Sequence, residues 1–546
     1  MKISRYIKIS SLLLVAGIAG CTKLSETYKT TIPASQAAQV ITASLLLKSA
    51  YNDIPSPFVG QDQVFSLQEN STDESLVPTR GGDWDENGVW RVIHNHTWNA
   101  DHGQVLSVFN NLNSMNFDAT NVLSTTFNAT KEQAAEARFL RALSLYYLLD
   151  LYNQFPVRQP GESLLNAPTV YIGDAATDFI ISELEAIVPD LDPANTKTQA
   201  NVDAANMLLM KCYLNRGAFK NRLQPTFDDA DMQKVITLGT AIITSGKYSY
   251  MPNYFGNFTY SNGNSTEGIF MFPGSSGVAT NNPGMTARWM NGFHYNEYSA
   301  QAPNAGWNGF TTTSDFYNSF SLGGTTDYTL NDTLIDSRIG RRRTSDANTT
   351  INSGIRPGFL VGQQFDKSGA LLQDRHSHPL FFEPDIAPTM IETGSNLEVT
   401  GFRVCKYVPD FSDATGKFYS SNPGNWFNMM RYPDVVLMVA EALMRQATPD
   451  NAAALVLING LRTARGASTV ASMPLAGTSV KDPTTLIAER GRELYCESVR
   501  RTDLIRFGLF LTPWQYKPTD DPKYILFPGP NQALGVNPNL VQNPGY

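Results

Sequence analysis

The sequence predicts a mainly α-helical protein, with helix pairs stacked into a superhelical scaffold, a large loop-rich region and few short strands. Three observations carry that expectation. Apolar residues recur at helical spacing in one segment after another, most strongly from Glu136 to Val157. The helices fall at intervals of roughly three to four dozen residues, a period that suits antiparallel helix pairs. From 248 to 427 this periodicity gives way to Gly, Asn, Pro, Ser, Thr and aromatic residues.

In chain order, residues 1–20 read as a lipoprotein signal peptide. Lys2, Arg5 and Lys8 precede a short apolar run, and Ile18-Ala19-Gly20 stand immediately before Cys21. The run is too short to span a membrane. Cleavage before Cys21 would leave its sulfur to carry a diacylglyceryl lipid, with 21–34 as a polar tether. Cys212, Cys405 and Cys496 are odd in number and sit in apolar or amphipathic surroundings, which makes them buried thiols and no disulfide framework.

The region 35–247 is helical. Ser35 to Tyr51 and Asp101 to Met115 flank a loop stretch that includes Gly81 to Trp90. In Glu136 to Val157, Leu140, Leu143, Tyr147, Leu148 and Leu151 form one apolar stripe, while Tyr146 and Leu149 form a second, so this helix is sandwiched between neighbours. Asn153 weakens it and Pro156, which lacks an N–H, ends it. Further helices are expected at Ala175 to Val188, Val202 to Arg216 before Gly217, and Asp229 to Ser245 before Gly246. Their spacing is tetratricopeptide-like. Residues 248–427 form the loop-rich region, with strand-like pieces at Gly268 to Phe272 and Val404 to Val408; loops this long are usually functional. Helices resume in 428–546, at Tyr432 to Arg445, Asn451 to Arg465 and Thr484 to Arg500.

With 42% hydrophobic and 17% charged residues the chain is that of a folded globular protein. Its net charge of -8 argues against nucleic acid as a partner, since phosphate binding needs a positive field.

EARFLRALSLYYLLDLYNQFP from Glu136, MMRYPDVVLMVAEALMR from Met429, INGLRTARG from Ile458, ERGRELYCESVRRTDLIRFG from Glu489 and the terminal QNPGY occur in an order that resembles the SusD/RagB family of nutrient-binding outer-membrane lipoproteins. The resemblance runs from Cys21 to Tyr546. It implies a scaffold of four tetratricopeptide-like helix pairs with ligand contacts in the irregular part. It also implies a glycan-binding protein, not an enzyme, that works at the cell surface as a lid over a SusC-like TonB-dependent transporter. One departure is that Glu26 alone is acidic close behind Cys21, so the acidic signal for surface export is weak. Two other readings stay open: a helical-repeat scaffold that binds peptide or protein and stabilises the transporter without sugar contact, and a surface glycosidase.

Glu489, Glu493 and Glu497 repeat every four residues among Arg490, Arg492, Arg500 and Arg501, and carboxylates in that setting stay ionised and pair. His94-x-His96 with Asp101 and His102, and His376-x-His378 with Asp374, are spaced closely enough for a metal, yet nothing fixes a ligand geometry. Asp332 and Asp336 could supply oxygens to a structural calcium, although Arg338 and Arg341 to Arg343 favour an ion pair. No other cofactor is expected. No phosphate loop, nucleophile elbow or serine triad is present.

The sugar-binding expectation rests on aromatic residues beside planar polar ones. Pyranose C–H faces stack on aromatic rings, and hydroxyls pair with carboxylates, amides and guanidinium groups. Two segments have that mixture: Arg80 to Trp90, with Arg80, Asp83, Trp84 and Trp90 as candidate contacts, and Trp289 to Phe310, with Trp289, Tyr295, Trp307 and Asn308. Asn291, Asn296, Tyr298 and Asn304 accompany them. Trp98, Trp426 and Trp514 read as packing residues.

Overall fold

Two helices that are nearly two hundred residues apart in the chain lie side by side, and their contact explains the architecture. The computed structural model describes residues 41–274, 284–297, 306–321, 336–340, 357–366, 370–394, 397–407 and 424–546. The expected signal peptide and tether, Cys21, Tyr298, Asn304, Asp332 and Arg341 to Arg343 lie outside them. Helices α1 (Ala43–Asn52), α2 (Gly103–Val122), α3 (Lys131–Tyr152), α4 (Gly173–Ile187), α5 (Val202–Lys220) and α6 (Asp229–Thr244) pack each on the next, α1 against both α2 and α3. The array then continues directly from α6 to α7 (Tyr432–Arg445) and α8 (Asn451–Ala464), so the loop-rich region is an insertion into one helical stack.

The α3 helix is the sandwiched one. From Ala135 to Tyr152 every residue except Arg138 is buried, and α2, α4 and α5 all contact it. A capping box starts it: Thr130 accepts from the Gln133 N–H while the Gln133 side chain accepts from the Thr130 N–H. Its end lies earlier than Pro156. Asn153 adopts the left-handed conformation (φ 61°) and closes the helix, and Pro156 falls within strand β2 (Gln154–Val157). The α5 helix runs past Gly217, where a Cβ would come within 1.7 Å of the Thr226 carbonyl oxygen, so glycine here permits a close backbone crossing and does not stop the helix.

Thr484 to Arg500 is not one helix. It divides into α9 (Leu486–Leu494) and α10 (Arg500–Arg506), and Cys496 and Ser498 between them have φ of 59° and 62°. Glu497 therefore lies in the turn and not on the helical face of Glu489 and Glu493. All three carboxylates pair with arginines, Glu489 and Glu493 buried and Glu497 half-buried: Glu489 with Arg338, Arg462 and Arg492, Glu493 with Arg338, Arg431 and Arg465, and Glu497 with Arg431. Burial pushes the Glu493 carboxyl up, and the Arg465 and Arg431 charges outweigh it and hold it below the ordinary range.

Strands are short and paired in twos. Strand β2 lies antiparallel to β3 (Thr169–Ile172), and β4 (Gly268–Phe272) pairs with β10 (Phe427–Arg431), the strand that leads into α7. In the insertion, β5 (Gly358–Leu360) pairs with β9 (Arg403–Cys405) and β6 (Gly362–Gln363) with β7 (Phe381–Phe382), while β8 (Ile391–Glu392) reaches out to run parallel to β1 (Thr79–Arg80) of the N-terminal region. The strand expected from Val404 thus starts one residue earlier and, within the described residues, ends at Cys405. Aromatic side chains join this region to the helical core: Phe316, Tyr317, Phe320, Phe359 and Phe402 meet one another and Tyr495 with ring centroids 5.0 to 6.3 Å apart.

Candidate functional site

The loop after β1 has an unusual backbone. Within Gly81 to Gly88, five residues have positive φ, and one of them is the bulky Trp84 at 60°. A large non-glycine side chain in that region costs about 1–3 kcal/mol and persists only where its surroundings hold it. The holding groups are evident. The Arg80 guanidinium donates to the Leu397 carbonyl (2.9 Å), the Thr400 hydroxyl (2.9 Å) and the Thr400 carbonyl (2.8 Å). Asp85 pairs with Arg91 at 2.9 Å, and the Trp90 indole donates to Glu86.

The second loop is laced to the first. The backbone N–H groups of Trp307, Asn308, Gly309 and Phe310 donate to the carbonyls of Met290, Phe293 and Asn291. The Trp84 indole N–H donates to the Trp307 carbonyl at 2.8 Å, and the ring lies on Gly309, where a Cβ would fall 2.3 Å from Cε2. Trp84 also meets Trp90 and Phe310 edge-on, with centroids 5.7 and 5.6 Å away. The Tyr295 hydroxyl donates to Asp83 at 2.5 Å; burial and then that hydrogen bond push its phenol up, so it remains a protonated donor.

A third segment completes the cluster. The Arg375 guanidinium lies 3.8 Å from the Tyr295 ring centroid, within cation–π range, and its Nε donates to Glu398 at 2.5 Å. Glu398 also pairs with the buried His294 ring at 2.7 Å. Burial raises the Glu398 carboxyl, but the bonds from His294 and Arg375 prevail and hold it at about 2, so the anion that fixes Arg375 is permanent near neutral pH. Asn296 donates to the Gln373 carbonyl at 2.8 Å and ties the same hairpin down.

Four of the expected contacts are therefore scaffold. Trp289 is fully enclosed, Asn308 is 1% exposed and bonded to Arg403, Arg80 is 4% exposed with Nη1 and Nη2 committed, and Trp90 is 7% exposed beneath Trp84. Their loop composition suggested exposure, whereas these loops pack as a core. Trp307 is 43% exposed, Asp83 is exposed, and Trp84 and Tyr295 are half-buried. Arg375 was missed because its only local signal was a weak metal-like run of histidines; tertiary folding alone brings it to Tyr295. What remains is the exposed Trp307 indole, the Trp84 indole bonded to its backbone, and, at the neighbouring Asp83 carboxylate, the Tyr295 phenol with the Arg375 guanidinium on its ring. That set can stack on flat apolar faces and pair with a rim of hydroxyls.

The histidines of the first metal-like run are bonded within the fold. His94 bonds to the Ser75 and Gln515 carbonyls, His96 to Asp520 and the Ser71 carbonyl, and His102 to the Val89 carbonyl. Among the described residues no cluster of histidine, cysteine and carboxylate side chains could hold a metal ion. Asp336 binds Arg338 through both oxygens, at 2.9 and 2.6 Å. No described helix is long and apolar enough to cross a membrane.

Comparison with known proteins places these features in context. The profile of the SusD family matches residues 244–524. The chain is 24% identical over 506 residues to the starch-binding protein SusD of Bacteroides thetaiotaomicron, covering 88% of this chain and 85% of that protein. Similar solved structures include the surface glycan-binding protein A from Bacteroides uniformis, with TM-score 0.64 and 17% identity, covering 92% of this chain and 98% of that one. A laminarin-binding SusD-like protein has TM-score 0.65 and 18% identity over 92% of this chain and 99% of its own. At that identity the structural likeness speaks for the fold.

Proposed function

The chain belongs to the SusD family, and on that premise we propose that it is a glycan-binding lipoprotein of the outer membrane. It is anchored through Cys21, faces the cell exterior, and captures oligosaccharide for a SusC-like TonB-dependent transporter. It binds and does not hydrolyse. One observation carries the ligand reading: Trp84, strained and locked to the Trp307 backbone, stands with exposed Trp307, Asp83, Tyr295 and Arg375 on one surface. A site for a flat-faced, hydroxyl-rimmed ligand needs this mixture, and a relative of comparable length is named as starch-binding.

Isothermal titration against a panel that includes starch and laminarin oligosaccharides tests the reading. Losing one stacking platform costs about 1–2 kcal/mol, so Trp307→Ala should weaken binding about five- to thirtyfold. Unchanged affinity in that variant, or no binding to any glycan, would overturn the assignment. Co-purification with a TonB-dependent transporter tests the partner separately.

A further inference from the structure

Every residue from 64 to 80 is buried, although Glu69, Asn70, Asp73 and Glu74 are among them. This segment leads into β1 and so delivers the 81–88 loop of the proposed glycan site. It also holds the left-handed turn between α9 and α10. Glu69 Oε1 accepts the N–H groups of Ser498 and Val499, the latter at 3.2 Å, and Glu74 Oε2 accepts that of Cys496 at 3.3 Å. Positive φ at Cys496 and Ser498 persists only where surroundings hold it, and these bonds are the holding groups. Cys496 in turn packs on Phe65, Val77, Trp90 and Phe310, the cluster on which Trp84 rests. Two carboxyls thus reach the underside of the site through one turn.

The pair lacks a counter-charge of its own. Glu69 and Glu74 lie within hydrogen-bonding distance of each other, and that bond needs a proton, since an ionised carboxylate only accepts. Glu69 Oε2 is buried, and among the described residues no N–H or hydroxyl reaches it. The cations facing the pair are engaged elsewhere. Arg500 of α10 stands 3.5 Å from Glu74 but gives Nε and Nη2 to Asp73 at 2.8 and 2.6 Å. Lys406, after β9, is bonded to Glu497, and Arg288 gives Nε and Nη2 to the carbonyls of Val59 and Phe58. Tyr147 of α3 and the Cys496 thiol face the pair as well; burial pushes both up, so neither brings a charge. Burial also raises the Glu69 carboxyl to about 7 and, with the Glu69 charge, raises Glu74 well above the ordinary range. A cavity of about 30 Å³ lined by Glu74, Lys406 and Cys496 has room for about two waters, a route for proton exchange.

We propose that Glu69 and Glu74 share a proton that clamps the 496–499 turn and so positions the aromatic floor beneath Trp84. The pair is a positioning device and touches no ligand; its link to affinity rests on the proposed glycan function. A raised carboxyl contributes stability that is complete below the unfolded value of 4.5 and is lost as pH rises through about 7, so the clamp loosens on the alkaline side. Amide exchange of the unliganded full chain reads this directly. Between about pH 6 and 8.5, protection of residues 496–499 and 81–90 should fall by up to about tenfold per pH unit beyond the intrinsic rate, the limit for one linked proton. Glu69→Gln/Glu74→Gln keeps acceptors for the three N–H groups and a donor between the side chains without a titrating proton, so its corrected protection should stay flat. Calorimetric affinity for starch or laminarin oligosaccharides should fall in parallel in the wild type and not in the variant. Flat protection in the wild type, or the same pH slope in the double variant, would overturn the shared proton. A turn that loosens while affinity stays constant would overturn the positioning role. Exchange needs no ligand, so it stays decisive where the glycan function itself fails, and the wild-type series decides even where the double variant is unstable.

Discussion

Replacing Gly309 by alanine should damage the proposed glycan site without replacing any of its side chains. A Cβ at 309 would stand 2.3 Å from Trp84 Cε2 and 2.5 Å from Cζ2. Carbon atoms rest at about 3.5–4.0 Å, so the indole must withdraw by more than about 1 Å. Its bond to the Trp307 carbonyl, now 2.8 Å, then stretches beyond hydrogen-bonding range. The lost bond contributes about 1 kcal/mol and each weakened edge contact with Trp90 and Phe310 about 0.5–1.5 kcal/mol, so the loop loses about 2–4 kcal/mol of local order. Glycan affinity should fall about tenfold, since Trp84 leaves its seat. Titration calorimetry reads the affinity, and iodide quenching of tryptophan fluorescence reads the ring position without any ligand. Wild-type values in both measurements would refute the seating argument.

Other consequences can be checked by simpler means. Burial raises the Glu441 carboxyl, but Arg506 and Arg445 outweigh it and hold it at about 2 against an ordinary 4.5. A depressed carboxylate contributes stability above its unfolded value and loses it as pH falls, here about 3 kcal/mol between about pH 4.5 and 2. Burial likewise holds His94 at about 4, and its contribution fades from about pH 6.5 downward, so melting temperature should drop on acidification through both windows. Glu441→Gln should flatten the lower window while costing about 3–5 kcal/mol at pH 7, because Arg445 loses its buried counter-charge and Arg506 is left with Asp503 alone. An identical pH profile of melting would contradict this. Treatment with a chelator should leave glycan affinity unchanged, since Asp336 is committed to Arg338; a fall reversed by calcium would show otherwise.

The helices were legible because an amphipathic period is local information, and it survives wherever a helix keeps one buried stripe. Tyr432 to Arg445 begins and ends where periodicity places it. Local information fails where tertiary contacts decide. Nothing near Gly217 says that the Thr226 backbone will cross it, so glycine was read as a stop; nothing near Cys496 and Ser498 says that the chain turns left-handed there so that Glu497 can reach Arg431. The packing of α6 on α7 across the insertion is of the same kind, a contact between stretches with no shared signal.

The site divides along that line as well. Trp84, Asp83, Tyr295 and Trp307 stand out in the sequence because aromatic and polar residues among Gly and Asn make a surface pattern, and in the fold one hydrogen bond joins Trp84 to Trp307 and another Tyr295 to Asp83. Arg80, Trp90, Trp289 and Asn308 shared that composition but lie inside, because loops this long must satisfy their own backbone and bury rings of their own. The distinction has a physical sign. Trp84 holds strain at φ 60° and Trp307 stands 43% exposed, whereas the buried ones are enclosed or spend their polar groups inside the fold. The same strain argument predicts where variation is tolerated. Trp307 can change with loss of ligand alone, whereas removing Arg80 from the Leu397 and Thr400 carbonyls should release the whole 81–88 turn, and with it Trp84.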